Sequence, residues 1–298
     1  MLKPVIQMAD QAQALRTLME QRRSTSYLQI AGDKSPLAKV LGVTSAKGGV
    51  GKTTLAIQTA RAFVKAGYKV CVWDVNGNAS HDLLSGFQHS WTLSHLLTGA
   101  RSAEEVMTPG PDGIQFLLGN GVSNLTTALS GQSQVLQSAI NTWQRKFNVL
   151  ILDLPGTVGG EVQSLISSCD SSWLVCTSEP TAVAATYTFI KQSPNLLSRT
   201  SIMVNQVDSS EEAFDVIDRL QQTTKLFLQS SISAAGFVPQ DRSLNQSEQW
   251  RFSESVQSTV DGLASRWLLN FDVSNEESSF VDRFGRLATA DWEETRAA

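Results

Sequence analysis

Residues 46 to 54 read Ala-Lys-Gly-Gly-Val-Gly-Lys-Thr-Thr, setting two ammonium groups and two hydroxyls around three glycines. That mixture suits the capture of a polyanion. Backbone N–H groups converge on phosphate oxygens only where no Cβ blocks the turn, which Gly48, Gly49 and Gly51 allow. Lys52 can reach β- and γ-phosphates, Thr53 offers a hydroxyl to Mg²⁺, and Val50 and Thr54 complete the loop. Two carboxylates are further candidates, because Asp74 and Asp153 each close an apolar run, Tyr68 to Asp74 and Phe147 to Asp153. Carboxylates so delivered can hold the water shell of a metal ion. The expected ligand is a nucleoside triphosphate with Mg²⁺.

These groups need a frame. The apolar run Val40-Leu41-Gly42-Val43 leads into the glycines and an amphipathic stretch from Leu55 to Lys65 follows, so the loop joins a strand to a helix. The N-terminus of that helix adds unpaired N–H groups and a positive dipole end to the anion site. Strands are expected at about 39–45, 69–74, 114–118, 147–153, 173–177, 200–205 and 232–238, with helices between them, among them Glu211 to Phe227 and Val256 to Leu269. This alternation predicts an α/β fold with a doubly wound, mostly parallel sheet whose ligand edge lies at the carboxyl ends of the strands. Residues 91 to 145 show short helical patterns around one strand, Ile114 to Leu118, and no catalytic constellation.

The ends read differently. Pro4 suits a first helical position, and Val5, Met8, Ala12, Leu15 and Met19 form one apolar stripe, so residues 1–23 are expected to hold a partner-binding helix, followed by a linker over 24–37. The alternative is a helix that packs back on its own domain. The domain proper is expected over 38–270 and a tail over 271–298. In that tail Phe280, Val281, Phe284 and Leu287 could form a short amphipathic helix that binds a membrane surface. Glu276, Glu277, Asp282 and Asp291 surround it unfavourably for an anionic bilayer, and ordinary packing is the alternative.

Composition narrows the classes. With 298 residues and 41% hydrophobic composition the chain can bury a full core. A net charge of -4 and a pI near 5.5 argue against coating nucleic acid, and no specific nucleic-acid partner is expected. Cys71, Cys169 and Cys176 form no C-x-x-C pair and are odd in number, so neither a disulfide framework nor a zinc site is indicated. His81, His89 and His95 have no metal-ligand spacing. No apolar run of about 18 residues occurs, and the N-terminus lacks the apolar region of a signal peptide. A soluble, cytoplasmic protein is the expectation, with attachment at the inner face of the membrane as an alternative.

The Lys-Gly-Gly-Val-Gly-Lys-Thr arrangement, with Ala46 in place of the usual first glycine and a second lysine at Lys47, resembles the deviant phosphate loop of the MinD/ParA ATPases. That resemblance implies ATP and Mg²⁺ as ligands, a homodimer formed on ATP binding, and a Lys47 that reaches across the dimer to the partner's ATP. It implies that Asp74 and Asp153 order the metal's waters, that the segment Pro155 to Gly160 is a switch sensing the γ-phosphate, and that Asn205 reads the adenine edge. Pro239 and Asp241, in a G-x-[IV]-P-x-D pattern, would lie beside the base. The family's second acidic residue, two positions beyond Asp74, is Asn76 here. An amide positions water but cannot take its proton, so ATP turnover and ATP binding with little turnover both stand as readings. Asp82 is a candidate substitute.

Two segments resemble the flagellar-placement branch of the family, FlhG. Asp10-Gln11-Ala12-Gln13-Ala14-Leu15-Arg16 is similar to its D-Q-A-x-x-L-R element, and Ser178-Glu179-Pro180-Thr181-Ala182 to its helix-opening segment at the dimer face. The resemblance implies that Asp10, Gln11, Ala12, Leu15 and Arg16 stimulate an FlhF-like GTPase, and that a flagellar basal-body component is a further partner. An assembly scaffold and a ParA-like DNA-partitioning ATPase are the competing readings.

Overall fold

The computed structural model describes residues 37–75, 91–119, 133–157, 159–244, 251–269 and 279–285. Eight strands form one sheet: β1 Lys39–Ser45, β2 Val70–Asp74, β3 Met107–Pro109, β4 Gln115–Leu118, β5 Val149–Asp153, β6 Ser171–Cys176, β7 Thr200–Val207 and β8 Ser233–Pro239. Their order is β3-β4-β2-β5-β1-β6-β7-β8, parallel throughout except where β3 meets β4. The helices are α1 Lys52–Lys65, α2 Leu93–Leu97, α3 Ser133–Lys146, α4 Gly160–Ser168, α5 Pro180–Gln192, α6 Ser210–Leu228 and α7 Glu254–Leu269.

All five residues of β2 and of β5 are buried, as are all but the first of β1. Strands covered on both faces carry continuous apolar runs rather than alternation, which is why these segments read so clearly as strands. Fully enclosed Leu41, Leu55 and Phe63 knit β1 and α1 into the core, each worth about 2 kcal/mol of burial. The core is anchored further by Phe63 against Trp267 of α7, ring centroids 5.5 Å apart, and by Trp73 against Trp143 at 5.8 Å. Trp267 Nε1 donates to Ser171 Oγ at 2.6 Å, so its polar tip is satisfied.

The seven expected strands are all present, and β3 is an addition. Three residues ending in a proline at the sheet margin carry too little apolar pattern to be read from sequence. The loop helix begins earlier than expected, at Lys52, because Gly51 at φ 86 turns the chain directly into it. Lys52 and Thr53 therefore belong to the first helical turn.

At the opposite end of the sheet, residues 280–285 form a helical turn whose Phe280 and Phe284 are buried in the core. Arg283 donates to the Ser168 carbonyl at 2.7 Å and pairs with Asp170 at 2.7 Å, while Asp170 also accepts the Val40 N–H at 2.7 Å. Ordinary packing, the alternative to a membrane surface, is thus what these two phenylalanines do here. Leu287 lies outside the described residues, as do the expected helix over 1–23 and all but the last residue of the expected linker over 24–37, together with Asn76, His81, Asp82 and His89. Among the described residues no helix is long and apolar enough to cross a membrane.

Candidate functional site

The site lies where β1, flanked by β5 and β6, runs into the glycine loop. Gly49 at φ 79 and Gly51 at φ 86 hold left-handed conformations that an L side chain resists. A Cβ on Gly51 would come within 2.5 Å of Asn205 Nδ2, whereas the space over Gly48 and Gly49 is open. The loop is thus closed towards β7 at Gly51 and open on the side that Cβ atoms of Gly48 and Gly49 would occupy, which suits a glycine turn that a phosphate approaches closely.

Lys52 is buried, and burial lowers its pKa against the raising influence of Asp153. A buried ammonium draws strength from any anion brought to it. Its Nζ lies 3.1 Å from where a Cβ on Gly156 would stand, and the Ser45 hydroxyl is 3.0 Å from the same point. Gly156 therefore opens the approach between the loop and the turn after β5. Thr44 Oγ1 donates to the Pro155 carbonyl at 3.2 Å and Ser45 Oγ to the Lys47 carbonyl at 2.7 Å, tying loop and turn together.

Parallel pairing of β2 with β5 places Asp74 directly beside Asp153. Both are buried, and burial pushes the Asp153 carboxyl up to about 7, helped by the charge of Asp74 and opposed by the Thr53 hydroxyl and Lys52. Thr53 Oγ1 donates to Asp153 Oδ2 at 2.6 Å, while Asp153 Oδ1 is buried without a hydrogen-bond partner among the described residues. A buried, unpaired carboxylate oxygen beside a hydroxyl fits a hard divalent cation that takes oxygen ligands and keeps its waters. No cluster of three or more His, Cys, Asp or Glu that could hold a metal ion occurs among the described residues.

Asn205 ends the regular part of β7 and is buried, its Nδ2 donating to the Val50 carbonyl at 2.8 Å. This bond fixes the orientation of the carboxamide and leaves its second N–H and its carbonyl oxygen as one donor and one acceptor. Pro239 pairs with Val207 at the end of β8. Asp241 instead holds its own loop, one oxygen accepting Ser243 N–H at 2.9 Å and Ser243 Oγ at 2.6 Å, the other Ser253 N–H.

Lys47 points along its own subunit. Its Nζ bonds Glu179 Oε2 at 2.6 Å and Thr181 Oγ1 at 2.7 Å, at the opening of α5. The Lys47 ammonium holds the Glu179 carboxyl below its usual range. Glu179 and Thr181 are functional candidates that local pattern does not reveal as partners of Lys47. They reach it because β6, which precedes them, pairs with β1. The three cysteines are buried and free, and burial drives the Cys71 thiol up to about 12, so they serve as core residues rather than nucleophiles. His95 caps α2 through Thr92.

Residues 41–250 match the family model described as the CobQ/CobB/MinD/ParA nucleotide binding domain. The antiactivator FleN of Pseudomonas aeruginosa is 27% identical over 215 residues, covering 71% of this chain and 77% of that protein. The flagellum site-determining protein YlxH of Helicobacter pylori is 25% identical over 220 residues, covering 73% and 74%. In fold, the MinC:MinD cell division complex of Aquifex aeolicus is similar, with a TM-score of 0.59 at 18% identity over 80% of this chain and 99% of that one.

Proposed function

We propose, for a chain that belongs to the CobQ/CobB/MinD/ParA nucleotide-binding family and is FlhG-like within it, that it is an ATP-dependent dimerising switch acting in flagellar number or placement. One observation carries the nucleotide reading: buried Lys52 and the Thr53 hydroxyl, bonded to an Asp153 carboxyl whose second oxygen is unpaired among the described residues, follow directly on a glycine loop that is open at Gly48 and Gly49. In this reading the N–H groups of Gly48, Gly49 and Gly51 hold phosphate oxygens and Lys52 neutralises the β/γ charge. Mg²⁺, when bound, would screen the phosphates, with Thr53, Asp74 and Asp153 as its holders.

Lys47 is bound in cis to an exposed carboxylate, a contact weak enough to exchange. A partner's triphosphate offers it more negative charge than Glu179 does, so ATP would favour the dimer. Gly156, beside both Lys52 and the loop, lets the turn after β5 move when a γ-phosphate arrives. The nucleotide would thereby set which surface faces partners. Those proposed are an FlhF-like GTPase, addressed through Asp10, Gln11, Ala12, Leu15 and Arg16, and a basal-body component, with the protein working in the cytoplasm or at the inner face of the membrane.

Hydrolysis is the second half of the proposal. Asn76 supports a competing reading as an ATP-binding scaffold with little turnover, since its amide cannot accept a proton from water. Phosphate release by the purified protein with ATP and Mg²⁺ decides between them. Release abolished by Lys52→Ala supports the switch, and tight ATP binding without turnover supports the scaffold. Deleting residues 1–23 and measuring the GTPase rate of the FlhF-like partner tests the activator helix, and unchanged stimulation would refute it.

A further inference from the structure

Gln206 is the residue of β7 that the nucleotide reading leaves unexplained. It has φ 60, a left-handed conformation that glutamine adopts only against resistance, near the end of a strand whose other residues all keep negative φ. It is the extra residue of a bulge: Asn205 pairs with Val238 and Val207 with Pro239, and Gln206 falls between. Bulges re-aim a side chain, and strain that persists invites a functional reason. Here the side chain is exposed and its Nε2 stands 3.2 Å from where a Cβ on Gly51 would be. Its neighbours in the chain, Asn205 and Val207, are buried.

The other polar side chains near this edge already have fixed bonds. Asn205 is held on Val50 O, and Asp241 on Ser243 and Ser253. Among the described residues the Gln206 amide has no hydrogen bond. Glycine or asparagine would satisfy a left-handed bulge at lower cost, so a longer side chain here calls for a use of its length. Two methylenes ending in a flat amide form an amphipathic plate, suited to cover one face of a planar heterocycle whose edge the Asn205 amide meets.

We propose that Gln206 is a nucleobase-positioning residue: its left-handed bulge conformation holds the side chain beside the phosphate loop, where its stem covers one face of the base of a bound nucleotide. The inference rests on the nucleotide reading above and adds to it a residue that acts on the base alone. Gln206 would contribute nothing to the phosphates, which belong to the glycine cradle and Lys52.

The test compares ATP with inorganic tripolyphosphate, which has the charge and no base, as ligands of the full chain with Mg²⁺. Gln206→Gly removes the stem and relieves the strained backbone, and Gln206→Ala removes the stem and keeps the strain. Both variants should bind ATP about tenfold more weakly, the effect of exposing two methylenes. Both should bind tripolyphosphate within about twofold of the parent, since loss of a phosphate contact would lower both ligands together. Gln206→Gly should also melt no lower than the parent, which separates loss of contact from loss of fold. Unchanged ATP affinity, or equal losses for the two ligands, would overturn the proposal. A parent chain that binds neither ligand, or a Lys52→Ala variant that binds both unchanged, would instead remove the nucleotide reading on which it rests.

Discussion

Replacing Asp153 by Asn should stabilise the nucleotide-free, metal-free protein at alkaline pH. The Asp153 carboxyl is 1% exposed and titrates near 7 rather than 3.8, chiefly because burial penalises its charge. A folded-state pKa raised above the unfolded value means that the fold holds this proton more tightly than the unfolded chain does. Stability from this group is therefore complete below about pH 4 and falls as pH rises, levelling off above about 7. A rise of about 3 pH units corresponds to about 4 kcal/mol over that window, an upper figure because Lys52 loses its counter-charge in the variant. Asn keeps an oxygen for the Thr53 hydroxyl and carries no charge to desolvate. The stability gap between variant and parent should widen by about 3 kcal/mol from pH 5 to pH 8, or about 6 °C or more in melting temperature. Urea and thermal unfolding in EDTA at the two pH values measure it. A gap independent of pH, or a variant less stable than its parent at pH 8, would refute the electrostatic account. With ATP and Mg²⁺ present the order should reverse, since the variant has no carboxylate for the metal's waters.

Three further changes probe other parts of the molecule. Gly51→Ala forces a Cβ to within 2.5 Å of Asn205 Nδ2 at φ 86 and should cost about 1–3 kcal/mol in urea unfolding, together with nucleotide affinity. Arg283→Ala strands the Asp170 carboxylate at the other end of the sheet and should cost about 3 kcal/mol, with ATP affinity measured by calorimetry unchanged. Lys47→Ala removes only exposed contacts within one subunit, to Glu179 and Thr181, so the melting temperature should hardly move. Light scattering with a non-hydrolysable ATP analogue should then find a monomer where the parent forms a dimer, and a dimer of undiminished strength would exclude Lys47 as the bridging group.

The strand, glycine turn and helix of the loop were legible in the chain because their signal is local. Glycines at 48, 49 and 51 between a buried strand and a helix predict a tight turn, and Gly49 and Gly51 make it with left-handed conformations that lead into the helix at Lys52. The same holds for Asp74 and Asp153, whose apolar runs place them at strand ends without reference to anything distant. Short or composite elements were less legible: β3 is three residues long, and the turn over 280–285 has the phenylalanine spacing of either a membrane-binding or a packed helix.

Tertiary structure alone decided which groups meet. Asp74 stands beside Asp153 because β2 pairs with β5 in that register, and the shared burial is what moves the Asp153 proton. Asn205 grips a loop carbonyl 155 positions away, and Lys47 finds Glu179 across 132 positions, because strand order brings those segments to one edge. Periodicity encodes the face a residue presents along its own element. It carries no record of strand order or of which left-handed bulge turns Gln206 towards the loop, since these arise from packing between segments remote in the chain.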